Sequence, residues 1–318
     1  MIPSAFGLLR FLESHGLPKG GRVAVACSGG PDSVLLLALV REALPGRVAC
    51  ATYDHRLRKD SAADAAFVKE LCVAWDVPFL GGRGDVRGAA LKAKRGLEET
   101  ARQMRYAFLE KARMKLGADF ILTAHNLDDQ AETVLFRAAR GTKLTGLAGI
   151  PARQGAVLRP MLAASKAEIL KELAKRKLAF RTDPTNADTA IARNHLRHDV
   201  MPRLEKVNPA VRDALGRLAS YAADLGAWVE GELAPLLHAD GHFGLTAYRA
   251  LPRALRGELV RMAFTRVTGT GDGLSEANLG EIDRFLHGPG NPSRKEMFGV
   301  KLEKRGQAVS FGKAGARA

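Results

Sequence analysis

Cysteine is scarce in this chain: three residues in 318, Cys27, Cys50 and Cys72, at spacings that match no zinc or CxxC pattern. That excludes a disulfide framework and a cysteine-built metal site. All three read as small buried hydrophobes of a protein kept in a reducing cytoplasm. Long apolar runs are also missing. None approaches the roughly 20 residues that cross a bilayer, so no membrane partner is expected. The opening residues, MIPSAFGLLRFLESHGLP, carry Glu13 and no small-residue cleavage site, which predicts an amphipathic first helix rather than a signal peptide. Acidic residues are outnumbered, 34 Asp and Glu against 49 Lys and Arg, for a formal charge of +15. A surplus of that size favours a polyanionic partner, although an arginine-rich genome would also produce it. Aromatic residues are 6% of the chain, too few for base stacking to be the main grip on nucleic acid.

What the chain does have is apolar material, 46% of its residues, enough for a sizeable core or for two. Strand-like runs at residues 22–27, 48–53, 77–81 and 118–124 alternate with helix-like runs at 33–44, 62–75, 97–116 and 128–140. In the longest of these, Leu97, Ala101, Met104, Phe108 and Ala112 are expected on one buried face. This alternation predicts an α/β fold, a doubly wound and mostly parallel sheet whose ligands bind at the carboxyl ends of its strands. After Pro151 the rhythm fades into a short extended piece and a basic helix. From about Pro209 the pattern is helical, with a glycine-rich break at 268–273 and a terminal hairpin at 298–311. Two domains are therefore expected, 1–205 and a smaller, mainly helical 206–318.

The first strand runs into Ser28, Gly29, Gly30, Pro31, Asp32 and Ser33 and then into a helix. Free backbone N–H groups at the positive end of a helix dipole make an anion site. Glycines let the backbone approach phosphate, and Ser28 and Ser33 add hydroxyls. No lysine follows the glycines, so this is not the GxxxxGK[ST] loop of γ-phosphoryl transfer, nor is it GxGxxG. With Asp32 inside it, the loop suits pyrophosphate with a metal ion; the bland alternative is a structural turn with a capping Asp.

Further polar stretches follow predicted strands: YDHRLRKDS at 53–61, with His55, Arg56, Arg58 and Lys59; LEETARQMRYAFL at 97–109; and TAHNLDDQAETVLFRAARG at 123–141. Then come LRPML at 158–162 with Lys166 and Glu168 beyond it, DPTN at 183–186 and RNHLR at 193–197. Each has an ordinary reading. Glu99 and Arg102 could be a surface pair, Asp128 and Asp129 dipole-complementing acids, DPTN a turn, and His125 a structural histidine. Asp129 and Glu132, three residues apart, share one helix face.

SGGPDS resembles the signature of the PP-loop family, the N-type ATP pyrophosphatases, whose members cleave ATP between the α- and β-phosphates and adenylate an acceptor. Taken with the later motifs, the order resembles the tRNA(Ile)-lysidine synthetase family. The resemblance implies an adenine nucleotide alpha hydrolase-like sheet, with ATP and Mg2+ as cofactors and Asp32 as one metal ligand. It further implies free L-lysine and an isoleucine tRNA with a CAU anticodon as partners, with a homodimer as one assembly it allows. It implies a catalytic set of Asp32, Arg105, His125, Asp129, Glu132 and Arg193. Asp129, Glu132, Arg105 and Arg197 would bind substrate, and the loop Ser28–Gly29–Gly30–Pro31–Asp32–Ser33 would bind ATP. A carboxylate could then hold lysine's amine or take its proton, since that amine is protonated at neutral pH. The family often carries a second histidine where this chain has Asn126, so position 126 receives no role. Larger members carry a further carboxyl-terminal module, which 318 residues are expected to be too short to hold. Two rival readings are a cytidine 2-thiolating enzyme, disfavoured by the unpaired cysteines, and a nucleotide- and RNA-binding module without catalysis.

Overall fold

The structure is a computed structural model that describes residues 1–56, 61–182, 192–269, 274–290, 293–297 and 299–313. Arg58, Lys59 and the DPTN stretch at 183–186 lie outside the described residues, as do most of the glycine-rich break and the side chain of Arg193. The chain forms two compact units, Met1–Ala223 and Asp224–Ala318.

The first unit opens with α1 (Ala5–Ser14), capped by Ser4, whose side chain accepts from the Gly7 amide. Then come β1 (Val23–Ala26), α2 (Pro31–Ala43), β2 (Val48–Asp54), α3 (Ser61–Ala74) and β3 (Phe79–Arg83). They are followed by α4 (Val86–Ala93), α5 (Leu97–Lys115), β4 (Phe120–Leu122) and α6 (Leu127–Ala139). The unit continues with β5 (Arg153–Gln154), β6 (Val157–Leu158), α7 (Lys166–Arg176), α8 (Ala192–His195), a π-helical turn at Leu196–Val200, α9 (Met201–Val207) and the start of α10 (Val211–Leu233). The six strands lie in the order β3-β2-β1-β4-β6-β5. All pairings are parallel except the edge pair of β5 with β6. This is the doubly wound sheet that the alternation predicts.

Alternate residues of the central strands feed different cores, as the pleat requires. Val23, Val25, Cys50, Phe120 and Leu122 join the larger cluster with residues of α1, α2 and α7. Ala51 and Ile121 pack with Leu109 and Ala112 of α5. β1 is covered on both faces and paired on both edges, which explains its unbroken apolar run VAVA. Two local readings are corrected. Helix α4 is an element that the alternation missed. The buried residues of α5 are Thr100, Leu109 and Ala112, while Leu97 is exposed. Leu97 follows directly on the exposed turn between α4 and α5, so no element lies over it.

Along the order of strands, β2 lies to one side of β1 and β4 to the other, so the chain reverses its winding there. The loops after β1 and β4 consequently flank one crevice at the carboxyl edge, where ligands of such sheets bind.

The second unit holds the end of α10, β7 (Phe243–Gly244), α11 (Leu245–Ala250), α12 (Arg253–Thr268), α13 (Glu276–His287) and the strands β8 (Ser293–Met297), β9 (Val300–Arg305) and β10 (Ala308–Lys313). The expected hairpin is thus two strands of a four-stranded antiparallel sheet, β7-β10-β9-β8. Its apolar face joins Phe243, Tyr248, Phe264, Ile282 and Leu286 in a core of its own. Buried Lys304 donates to the carbonyls of Phe285 and Gly288 at the carboxyl end of α13, where a cation suits the dipole.

Candidate active site

The glycine loop joins β1 to α2. Gly29 has φ +84°, a left-handed conformation, and a Cβ there would lie 3.3 Å from Val68. Gly30 is the N-cap of α2 in an ordinary extended conformation, and Pro31 follows at the start of the helix. Ser33 is buried, and its hydroxyl donates to the Gly30 carbonyl (2.9 Å) while accepting from the Ser28 amide (3.2 Å). In this state Ser33 shapes the loop from within; the hydroxyl of Ser28 is 3.3 Å from it. The Arg181 amide donates to the Gly29 carbonyl (2.8 Å), fixing the outer side of the turn.

The loop opens on a cavity of about 530 Å³. Ser28, Gly30, Asp32 and Ser33 line it together with His55, Arg102, Arg105 and Tyr106, and with Thr123, His125 and Asp129. Asp32, Arg105, His125 and Asp129 are thereby brought to one site. Thr123 is 3.0 Å from His125 Nδ1 and holds that ring from the end of β4.

Helix α6 begins with a capping box. Asn126 accepts from the Asp129 amide (3.0 Å), and Asp129 accepts from the Asn126 amide (3.0 Å). Asn126, to which the sequence assigned nothing, also donates to Asp32 (3.2 Å) and so ties α6 to the glycine loop. The next turn holds Glu132, which is 0% exposed. Arg197 clamps it from the π-helical turn, with Nε 2.6 Å and Nη2 2.9 Å from its two oxygens, and reaches Asp129 at 3.5 Å. The expected carboxylate pair therefore exists, but an arginine expected to bind substrate is turned upon it. Glu132 does not line the cavity. Burial would lower the Arg197 pKa, but Glu132 and Asp129 together raise it, so the guanidinium is held charged.

The α5 side of the cavity is cationic. The guanidinium carbons of Arg102 and Arg105 sit 5.0 and 5.5 Å from the Tyr106 ring centre. Arg159, only 1% exposed, donates to the Pro151 carbonyl (2.8 Å), to Gln154 (3.0 Å) and to the Tyr106 hydroxyl (3.4 Å). Its Nε has no partner. Burial pushes the Tyr106 phenol up, but the three arginines outweigh it and bring it below its ordinary value. Glu99 bonds Gln103 rather than Arg102, so the ordinary pair anticipated there is absent. His55 is made harder to protonate by burial and by Arg105.

Lys166 is the residue that sequence reasoning quoted without using. Its Nζ donates to both oxygens of Asp32, at 2.8 and 2.7 Å. Ser165 and Glu168 form a capping box that announces this helix start, but nothing local announces its partner 134 positions earlier. Burial raises the Asp32 pKa, more than Lys166 lowers it, and neighbouring Asp129 adds to the rise. Among the described residues no cluster of three or more His, Cys, Asp and Glu side chains could hold a metal by itself. Asp32 and Asp129 are hard oxygen donors beside one another, which fits a Mg2+ ion that arrives on a polyphosphate and takes one or two carboxylates.

Residues 6–204 match the PP-loop domain family over most of the chain. The chain belongs to this family. The glycine loop at its β1–α2 junction and most of the cavity-lining residues lie within the matched span. Among curated relatives, the PP-loop chain is 43% identical over 231 residues to a tRNA(Ile)-lysidine synthase of Thermus thermophilus, covering 72% of this chain and 45% of that one. It is 38% identical over 224 residues to the tRNA(Ile)-lysidine synthase of Thermosipho africanus, covering 70% and 52%. The chain thus spans about half the length of the curated relatives it matches. Among solved structures, a U34-tRNA thiolase from Methanococcus maripaludis with its [4Fe-4S] cluster aligns with TM-score 0.55 at 19% identity, over 68% of this chain and 77% of that one. That likeness concerns the fold. No described helix is long and apolar enough to cross a membrane.

Proposed function

We propose that this protein ligates free L-lysine to C2 of the wobble cytidine of an isoleucine tRNA with a CAU anticodon. The α-phosphate of ATP would adenylate the C2 carbonyl oxygen and release pyrophosphate. The lysine ε-amine then attacks C2, its proton departs, and the C2–O bond breaks with AMP as leaving group. The observation that carries this reading is the convergence, on one cavity, of an ATP-type glycine loop and the acidic first turn of α6. It occurs in a chain 43% identical over 231 residues to a tRNA(Ile)-lysidine synthase.

In this reading Ser28–Ser33 cradle ATP, and Asp32 would hold a Mg2+ ion, whose chemistry there would be to neutralise phosphate charge. His125 and Asp129 line the cavity beside the loop, and in this reading Asp129 receives the amine proton. Glu132 acts through Arg197, holding that guanidinium beside Asp129. Arg105 and Arg193 would share the anionic groups of lysine and nucleotide.

The α4–α5 hairpin supports an RNA substrate. Residues 91–99 are exposed throughout, while Arg83, Arg87, Lys92 and Lys94 have no carboxylate partner among the described residues. α5 continues from there into the cavity wall. The helical part of residues 206–318 would add tRNA contacts, either within one chain or across a homodimer, in the cytoplasm where tRNA is modified. Thiolation finds no support in the three cysteines, which are free and buried.

The test is transfer of labelled lysine to a transcribed isoleucine tRNA with and without ATP. ATP-dependent label that vanishes when the wobble cytidine is changed is the expected result. AMP and pyrophosphate formed with no lysine incorporated would keep the loop chemistry and discard lysine as nucleophile.

A further inference from the structure

The turn between α4 and α5 holds two leucines out into solvent. Leu91 is 80% exposed and Leu97 44%. A single exposed leucine is ordinary on a protein surface, but these two share one short turn with Lys92 and Lys94. The turn is also firmly built. Lys94 adopts a left-handed conformation (φ +50°) at the C-cap of α4, a position that glycine usually takes. The Arg95 amide donates to the Ala90 carbonyl (3.1 Å) and its guanidinium to Gln103 (2.9 Å). The Thr100 hydroxyl donates to the Gly96 carbonyl (2.9 Å). An apolar tip flanked by cations is thus fixed in place.

The tip stands at the mouth of the cavity. Glu98, next to Leu97, lines that cavity, as do Arg102 and Arg105 further along α5. At about 1.5 Å per residue, Leu97 lies roughly 12 Å along the helix from Arg105, about the height of three or four stacked bases. A base that reacts inside such a pocket has left its stack and deprived its neighbour of a partner. Apolar side chains inserted at a base step can take over the vacated face, and cations beside them hold the phosphates.

We propose that the α4–α5 turn is an RNA wedge. Leu91 and Leu97 pack against the base next to the wobble cytidine and keep that cytidine unstacked in the cavity, while Lys92 and Lys94 neutralise the adjoining phosphates. The leucines are positioning residues and touch no reacting atom. The inference rests on the lysine-ligase reading.

The full chain is tested with an anticodon stem-loop in which 2-aminopurine, a base that brightens when unstacked, replaces the adenine 3′ to the wobble cytidine. Wild-type protein is expected to brighten the probe on binding. The Leu91→Ala, Leu97→Ala double variant is expected to bind with an unchanged salt slope and without brightening. It should transfer labelled lysine to the transcribed tRNA at least about tenfold more slowly at saturating RNA, because unstacking is left to the RNA alone. AMP binding, read by calorimetry, stays within about twofold of wild type. Methionine at both positions, which keeps apolar reach, restores brightening and transfer. Wild-type protein that transfers lysine without brightening the probe overturns the wedge while the ligase reading stands. So does an alanine variant that brightens the probe as wild type does, whether its transfer falls or not; the exposed leucines would then be a docking patch for a protein or a purely structural feature. Wild-type protein that transfers no lysine removes the ligase reading, and the wedge with it.

Discussion

Replacing Arg87, Lys92 and Lys94 together by glutamine removes three exposed cations beside the cavity. It leaves the Asp85 cap and the buried Val86 and Ala90 of α4 in place. Exposed positions of this kind change stability by about 0.5 kcal/mol or less, so the fold should be retained. If each cation neutralises one RNA phosphate, the slope of log affinity against log salt becomes shallower by about 2.1–2.7, three times the single-strand to duplex increment. Counterion release then accounts for roughly 100- to 500-fold of affinity at about 0.1 M salt, but only about 10- to 25-fold at about 0.3 M. Fluorescence anisotropy of a labelled anticodon stem-loop, titrated at several salt concentrations, reads both quantities, and AMP binding serves as the control for an intact site. Parallel salt slopes for the variant and the wild type would refute the placement of RNA on the α4–α5 hairpin, whatever happened to the affinity.

Arg197→Met takes the fork from a fully buried carboxylate and should cost about 3–5 kcal/mol in chemical denaturation. Glu132→Met removes the buried charge itself and leaves Arg197 near Asp129, so a smaller loss is expected. The double variant should be more stable than Arg197→Met alone, and additive losses would show that the pair is not coupled. Gly29→Ala imposes a side chain on a φ of +84° against Val68 and Phe67, at about 1–2 kcal/mol, and should abolish nucleotide binding measured by calorimetry. The raised Asp32 pKa means that the folded chain holds this proton more tightly than the unfolded one. Its stabilising contribution is full below the ordinary value of 3.8 and is lost as pH rises through the higher folded value. Asp32→Asn should therefore gain in melting temperature relative to wild type between acidic and neutral pH, and a difference that does not vary with pH would contradict this sign.

What was legible in the sequence is what short-range chemistry encodes. The apolar run of β1 and the six residues that turn it into α2 are local patterns that the sequence reading used; the Asn126–Asp129 and Ser165–Glu168 caps are equally local but were not read. Helix α4 escaped because its eight residues, with Gly88 and four alanines or lysines, carry too weak a periodicity. The meeting of Asp32 with Lys166, and of Glu132 with Arg197, depends on strand order and helix docking. Nothing in the sequence around either residue of each pair names its partner. Even the shared helix face of Asp129 and Glu132 misleads without its depth, since only Asp129 reaches the cavity.

The separation of 134 positions between Asp32 and Lys166 also has a consequence for biosynthesis. At a synthesis rate of about 5–20 residues per second, roughly 7–27 seconds pass between the emergence of the loop and that of its ammonium. During that interval the glycine turn can form on β1, but its carboxylate lacks the lysine, and α7 has yet to cover the sheet. The Asp32–Lys166 pair therefore closes late in the birth of the first unit, after most of its chain has been synthesised.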